Sequence, residues 1–254
     1  EIKEFKNHLP DLEIEMFVHG AMCMAYSGRC LISAYLNNRN ANKGECTQPC
    51  RWNYKLVEQK RPNEQFDVEE DEYGTYFFNS RDLNLSQRMK EIFDAGVDSI
   101  KIEGRMKSVI YVANVTRIYR RFIDVIEGEK DFNNNMLNEL DTVSHRLYTN
   151  GFFDGENSYE MQNYDSSSYI RDYQFIGEII DSTDSYFIIK NHAKFSVGEK
   201  ISIIFPDIDE DFIIDVKEIL DEFDKQVEFT KPNTEVKIPY PKRLPEFGIV
   251  RKKI

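Results

Sequence analysis

Hydrophobic and polar positions change period several times along this chain, and each change marks an element. Residues 1–10 (EIKEFKNHLP) read as the last turns of a helix that Pro10 stops. Leu12 to Val18 alternates apolar and polar side chains, the pattern of a strand with one buried face. Residues 20–54 show no clear period and are rich in Gly, Asn, Cys and Arg. They predict a long loop region with a short helix at most, and long loops in compact domains are usually functional. Residues 58–74 read as an acidic connector or hairpin and Tyr76–Asn79 as a short strand.

A helical period returns over Asp82–Asp94, with Ser80 or Asp82 as N-cap and Leu85, Met89, Ile92 and Phe93 on the buried face. Ser99–Glu103 predicts a strand and Gly104 a turn. Lys107–Ile126 predicts a long helix that buries Val109, Val112, Val115, Ile118, Phe122 and Val125. Helix, strand and helix in succession argue for parallel βα units. A further helix is expected over Asn135–Arg146, followed by turns at Asn150-Gly151 and Asp154-Gly155 and a polar linker over 156–170. From Tyr173 onward, six short apolar runs follow one another: FIGEII, YFIIK, ISIIF, FIIDVKEIL, QVEFT and TEVKI. They predict a small antiparallel barrel or sandwich. The expected class is therefore α/β followed by all-β, with domains over 1–165 and 166–254.

The 254 residues suffice for one large domain or two ordinary ones, and 13% aromatic content excludes a disordered tail. No apolar run reaches the roughly 18 residues of a membrane span, and the start of the chain lacks a basic-then-apolar leader pattern. A cytosolic protein without a membrane partner is expected. The chain lacks an initiator Met and opens inside a helix pattern, so a longer parent protein is expected on its N-terminal side. The net charge of −12 excludes an overall basic nucleic-acid binder but not a local basic patch. Lys101–Arg121 carries six basic residues and one Glu, and Pro241–Ile254 five basic residues and one Glu. A polyanion is expected to meet those two stretches.

All four cysteines, Cys23, Cys30, Cys46 and Cys50, fall in one stretch with the spacing C-x6-C-x15-C-x3-C. A cytosolic setting disfavours a disulfide. Two metal readings remain open on spacing alone. Structural zinc prefers two short knuckles, and only Cys46-Thr-Gln-Pro-Cys50 has that form. An iron–sulfur cluster also takes four thiolates and tolerates more varied spacing.

Glu15 to Ser33 reads EMFVHGAMCMAYSGRCLIS. It resembles the signature of the collagenase-like peptidase family U-32, E-x-F-x2-G-[SA]-[LM]-C-x4-G-x-C-x-[LI]-S. Every fixed position is met, by Glu15, Phe17, Gly20, Ala21, Met22, Cys23, Gly28, Cys30, Ile32 and Ser33. Further blocks resemble the family at 48–52 (QPCRW), 79–83 (NSRDL), 101–108 (KIEGRMKS) and 144–152. The resemblance implies the C-terminal part of a (β/α)8 TIM-like barrel followed by a small antiparallel β-barrel. Three βα units cannot close such a barrel, because the missing strands leave open edges. The rest of the barrel would come from the N-terminal remainder of the same protein or from a paralogous subunit.

The family takes its name from proteolysis, but the sequence has neither H-E-x-x-H nor G-x-S-x-G. Members of its RNA-directed branch are tRNA and rRNA hydroxylation proteins that carry a 4Fe-4S cluster on four cysteines and depend on prephenate. The resemblance thus implies Cys23, Cys30, Cys46 and Cys50 as cluster ligands, with zinc as the alternative metal. It implies hydroxylation of the tRNA wobble uridine as the activity, with a collagenase-like peptidase as the alternative.

His19 lies at a strand end before the first cysteine, where a barrel keeps its active site, and is either a donor to a carboxylate or a structural histidine. Glu103, Arg105, Lys107 and Ser108 lie where a strand gives way to a helix, a place that favours anions. Arg105 could grip a carboxylate or phosphate with Glu103 orienting it, while Lys107 adds charge and Ser108 a hydroxyl. A glycine turn with a charged helix start is the plainer reading. Arg51 could add a guanidinium and Trp52 a stacking face for a base, or Trp52 could pack over the metal centre.

Overall fold

The computed structural model describes residues 1–23, 30–52, 56–57, 65–66, 81–133, 135–155, 170–207 and 211–254, with 42, 51, 56–57 and 65–66 by backbone alone. The expected strand Tyr76–Asn79, the cap candidate Ser80, and most of the acidic connector and polar linker lie outside these residues. The described chain divides into two compact units, 1–106 with 145–170, and 107–144 with 171–254. The expected division at 165/166 keeps 107–144 with the first part instead.

The first unit is an α/β assembly. Helix α1 (Ile2–His8) ends before Pro10. Strand β1 (Glu15–Ala21) begins three residues later than the alternation suggested, because the buried stretch is Val18–Gly20. Helix α2 (Ile32–Asn37) ends on Asn38 in the left-handed conformation. The short β2 (Leu56–Val57) and β3 (Gln65–Phe66) pair antiparallel. Strand β4 (Asp82–Asn84), a 3-10 turn over Ser86–Arg88, helix α3 (Met89–Asp94), β5 (Ser99–Ile102) and β6 (Tyr148–Thr149) complete the unit.

The sheet order is β5-β1-β4-β6. β1 runs parallel to β5, as a βα unit requires, but antiparallel to β4. The described residues therefore form a mixed four-stranded sheet rather than a barrel with all strands parallel. Asp82 starts a strand instead of capping a helix. Its carboxylate is fully buried and accepts the Arg146 backbone N–H at 3.1 Å. The run Asp-Leu-Asn is too short for alternation to outweigh the helical period that follows. Leu85, Met89 and Ile92 are buried as expected.

The second unit combines α4 (Val109–Ile126) and α5 (Asn135–Leu140) with six strands. These are β7 (Tyr173–Ser182), β8 (Tyr186–Asn191), β9 (Lys200–Ile204), β10 (Phe212–Asp215), β11 (Thr234–Pro239) and β12 (Ile249–Lys253). They form one curled antiparallel sheet in the order β10-β9-β12-β7-β8-β11, open at β10 and β11 rather than closed as a barrel. Its core holds Ile176, Phe187, Ile189, Phe195, Ile203 and Phe205. The run QVEFT makes only isolated bridges, and the basic end of the chain supplies the sixth strand instead.

The buried face of α4 also differs from the predicted stripe. Val115, Ile118 and Phe122 are buried, but Val109 and Val112 are exposed while Arg117 and Arg121 are buried. Aliphatic spacing alone missed this, because buried arginines close the gap between apolar rows by pairing. The Arg117 guanidinium donates to Asn114 at 3.2 Å and lies 3.8 Å from the Glu139 carboxylate. Burial, then the like charge of Arg121, pushes Arg117 down to about 10 while Glu139 pulls the other way. Arg251 is fully buried and donates to Glu139 (3.1 Å), Asp211 (2.5 Å) and Thr142 (2.8 Å). Burial disfavours its charge, but Glu139 and Asp211 outweigh that and raise it. The basic 105–121 stretch is therefore not a phosphate-facing strip: Arg117 and Arg121 are buried, and Arg120 pairs with Asp124 and Glu127. At the basic chain end, Arg251 is buried and Lys252 pairs with Glu199.

Candidate functional site

Three of the four cysteines line a single cavity in the first unit. The cavity measures about 370 Å³ and includes Cys23, Cys46 and Cys50 with His19, Glu103 and Arg105. Local sequence explains how they meet. β1 carries His19 and Gly20 to its C-terminal end, and Cys23 follows two residues after the strand. Gly20 adopts φ +109, and a Cβ there would overlap the Glu103 carbonyl oxygen. Only glycine lets β1 approach the end of β5 so closely. The contact is closed by the Glu103 N–H, which donates to the His19 carbonyl at 2.8 Å.

The segment carrying Cys46 is held by α2. Ser33, fully buried, accepts the Thr47 backbone N–H at 3.1 Å, and Asn37 donates to the Thr47 hydroxyl at 2.9 Å. Ser33 closes the sequence signature, so that motif residue anchors the loop. The Gln48 N–H donates to the Cys46 sulfur at 3.3 Å and so fixes its position in the loop. A 3-10 turn over Pro49–Arg51 then sets Cys50, with Pro at its first position. Cys30 lies two residues before α2 and is partly exposed.

None of the four cysteines is in a disulfide. A tetrahedral zinc with Zn–S near 2.3 Å needs its thiolates about 3.8 Å apart. Among the described residues, the one group of potential ligands whose atoms lie within 4.8 Å of one another is Asp124, Glu127 and Glu129, which contains no cysteine. Four thiolates could hold either a single zinc ion or an iron–sulfur cluster.

His19 is 1% exposed, and its ring lies 5.4 Å from that of Tyr148, which stacks on His145 at 4.4 Å. Neither the Tyr148 contact nor the seat of Arg105 was legible in the sequence, since both join segments far apart in the chain. Arg105 is exposed at the cavity rim. The Glu103 carboxylate accepts the Arg105 backbone N–H at 3.2 Å and so orients the turn.

Lys107 and Ser108 belong to the other unit. Lys107 donates to the Ser144 carbonyl at 3.1 Å and lies over the Tyr111 ring, while Ser108 caps α4 by accepting the Tyr111 N–H. Their observed partners are structural. Trp52 is half exposed, and the Arg51 side chain lies outside the described residues. Glu15 ties β1 to β5: its carboxyl accepts from Lys101 at 2.6 Å, and that bond holds it below the usual carboxylate range.

The chain matches the family model described as Peptidase family U32 over residues 1–163, and the one described as Peptidase family U32 C-terminal domain over residues 171–251. It is 36% identical over 253 residues to the tRNA hydroxylation protein P of Haemophilus influenzae, covering 81% of this chain and 55% of that protein. The Escherichia coli tRNA hydroxylation protein P is 37% identical over 81% of this chain and 54% of its own length. The Bacillus subtilis tRNA hydroxylation protein P1 is 33% identical over 99% of this chain and 60% of its own. The chain thus spans little more than half the length of these curated relatives.

Proposed function

We propose that this chain, which belongs to peptidase family U32, is part of an enzyme that hydroxylates the wobble uridine of tRNA. Cys23, Cys30, Cys46 and Cys50 would hold a 4Fe-4S cluster, with prephenate as the cosubstrate. The observation that carries the reading is the shared cavity, which gathers three thiols outside any disulfide, a buried imidazole, a carboxylate and a guanidinium. The donor set fits the cluster: four cysteines fall in one loop region, three of them line this cavity, and four thiolates are the usual ligands of such a cluster. When bound, such a cluster supplies one-electron chemistry.

The chain's own residues do the rest. The Arg105 guanidinium binds a carboxylate of the cosubstrate, as its planar fork suits. Glu103 fixes the turn that presents Arg105, and the His19 ring can hold or pass a proton at the cavity wall. The apolar side chains of Phe17, Met22 and Leu83 limit water at the thiols. No helix among the described residues is long and apolar enough to cross a membrane. A tRNA substrate would be met in the cytoplasm.

Anaerobic purification of the full-length protein tests the reading, with iron and acid-labile sulfide measured together. Mass analysis of tRNA nucleosides from a deletion strain completes it. Hydroxyuridine is expected to vanish and to return with the wild-type gene. Zinc without sulfide, or unchanged hydroxyuridine, overturns the proposal. Gelatin cleavage that survives iron removal and is lost with one point substitution would favour the peptidase that the family's name describes.

A further inference from the structure

Most of the guanidinium charge expected to meet a polyanion is buried or paired in the second unit, so open cations must be sought elsewhere. In the first unit, Lys6, Arg88, Lys90 and Lys101 are ion-paired. Arg39, Lys43 and Arg105 are exposed, and among the described residues their side chains make no ion pair. All three lie on segments that build the thiol cavity. Lys43 ends a 3-10 turn over Ala41–Lys43 and stands between Ala41 and Gly44, which both line the cavity, as Arg105 does. Arg39 follows α2, where its N–H donates to the Ser33 carbonyl at 3.3 Å.

This loop is fixed in place and opposite in sign to the chain as a whole. The Asn40 carbonyl accepts the Lys43 N–H at 3.1 Å and the Glu45 N–H at 3.0 Å. Residues 30–52 carry Arg39, Lys43 and Arg51 against one acid, Glu45, in a chain of net charge −12. The Glu45 carboxylate accepts the Asn40 N–H at 3.2 Å.

The loop ends on an aromatic. Trp52, the single tryptophan of the chain, follows the 3-10 turn that sets Cys50, and its N–H donates to the Pro49 carbonyl at 3.0 Å. α2 packs against that turn. Trp52 is 48% exposed, and among the described residues no ring or cation lies against its indole. An open aromatic face beside unpaired cations is the chemistry that binds single-stranded nucleic acid: bases stack on the ring and phosphates meet the cations.

We propose that the cysteine-bearing loop is also the docking surface for single-stranded RNA, with an unpaired base stacked on Trp52 and backbone phosphates on Arg39 and Lys43. Arg105 is left to the cosubstrate. The inference rests on the RNA reading above and names where the substrate strand lies. A duplex, whose bases stack on one another, offers no face to Trp52.

The test follows the fluorescence anisotropy of a short labelled oligouridylate, alone and paired with oligoadenylate, on the anaerobically purified full-length protein. The single strand is expected to bind about tenfold more tightly than the duplex, and Trp52→Ala to remove that advantage, the loss of one stacked base. Trp52→Phe is expected to restore most of it. Arg39→Gln combined with Lys43→Gln is expected to reduce the slope of log affinity against log salt by about 1.4, the value for two phosphates of a single strand. Bound iron and melting temperature stay unchanged in that double variant. Duplex binding as tight as the single strand overturns the proposal, as does full affinity in Trp52→Ala or an unchanged salt slope in the double variant. Gelatin that displaces the oligonucleotide with the same dependence on Trp52 overturns it in favour of a polypeptide partner. If Trp52→Ala loses its iron or fails to fold, the salt slope of the double variant decides alone. The nucleoside analysis of the deletion strain is independent: unchanged hydroxyuridine with RNA binding that still depends on Trp52 removes the hydroxylase and keeps the docking surface.

Discussion

The guanidinium of Arg105 lies against the bare Cα of Gly44, where a Cβ would overlap its Nη1 atom. Gly44 sits in the loop before Cys46 and adopts φ +72, so the backbone selects glycine, while the flexible Arg105 would have to yield to a Cβ. Gly44→Ala is expected to displace Arg105 from the cavity rim. The Michaelis constant for the anionic cosubstrate rises about tenfold, the loss of one charge-assisted contact. Stability falls by only about 1 kcal/mol, the strain of a left-handed alanine. Kinetics beside a thermal melt separate the two effects.

Cys46 is the thiol whose sulfur accepts a backbone N–H, from Gln48. Cys46→Ser is expected to reduce bound iron to background in anaerobic preparations, because a serine oxygen is a poor iron ligand next to thiolate. Circular dichroism is expected to show the second unit's sheet intact. Iron retained at the wild-type level would remove Cys46 from the ligand set.

Asp82 is a buried strand carboxylate that accepts the Arg146 backbone N–H. Asp82→Ala leaves that donor without its acceptor and is expected to destabilise the protein by roughly 1–3 kcal/mol. Asp82→Asn keeps an acceptor oxygen and is expected to recover part of the loss. Denaturant titration of both variants checks the order.

Arg251 is the hub of the second unit's polar core, bonded to Glu139, Asp211 and Thr142. Arg251→Met is expected to cost about 3–5 kcal/mol, since it removes the cation paired with two largely buried carboxylates and leaves Glu139 only the more distant Arg117. A melting temperature unchanged on substitution would show that the network contributes nothing net.

Asp98 joins α1 to the start of β1. The Lys6 ammonium donates to its carboxylate at 2.6 Å and the Ile14 N–H at 2.8 Å, and these bonds hold its carboxyl below the usual range. A depressed carboxyl stabilises the fold above its unfolded pKa, near 3.9, and loses that effect as pH falls through the lower folded value. Asp98→Asn is expected to be less stable than wild type from pH 5 to 8, with the gap narrowing below about pH 4. Paired melts across that range read it directly.

The sequence by itself determined the element types where the period was sustained: α1, β5, α4 and five of the six strands of the curled sheet. It also exposed the cysteine cluster and, through Gly20 and Ser33, the residues that shape the loop. Side-chain period reports which face is buried only when burial is apolar, so it was silent on the buried Arg117, Arg121 and Arg251; Arg117 and Arg251 are paired with carboxylates elsewhere in the chain, Glu139 and Asp211. Tertiary structure decided the antiparallel pairing of β4 with β1, and the seating of Arg105 on Gly44. It also gave Lys107 and Ser108 structural partners. Apart from the local contacts of Lys107 and Ser108 with Tyr111, each of these joins groups distant along the chain, and such contacts leave no local pattern to read.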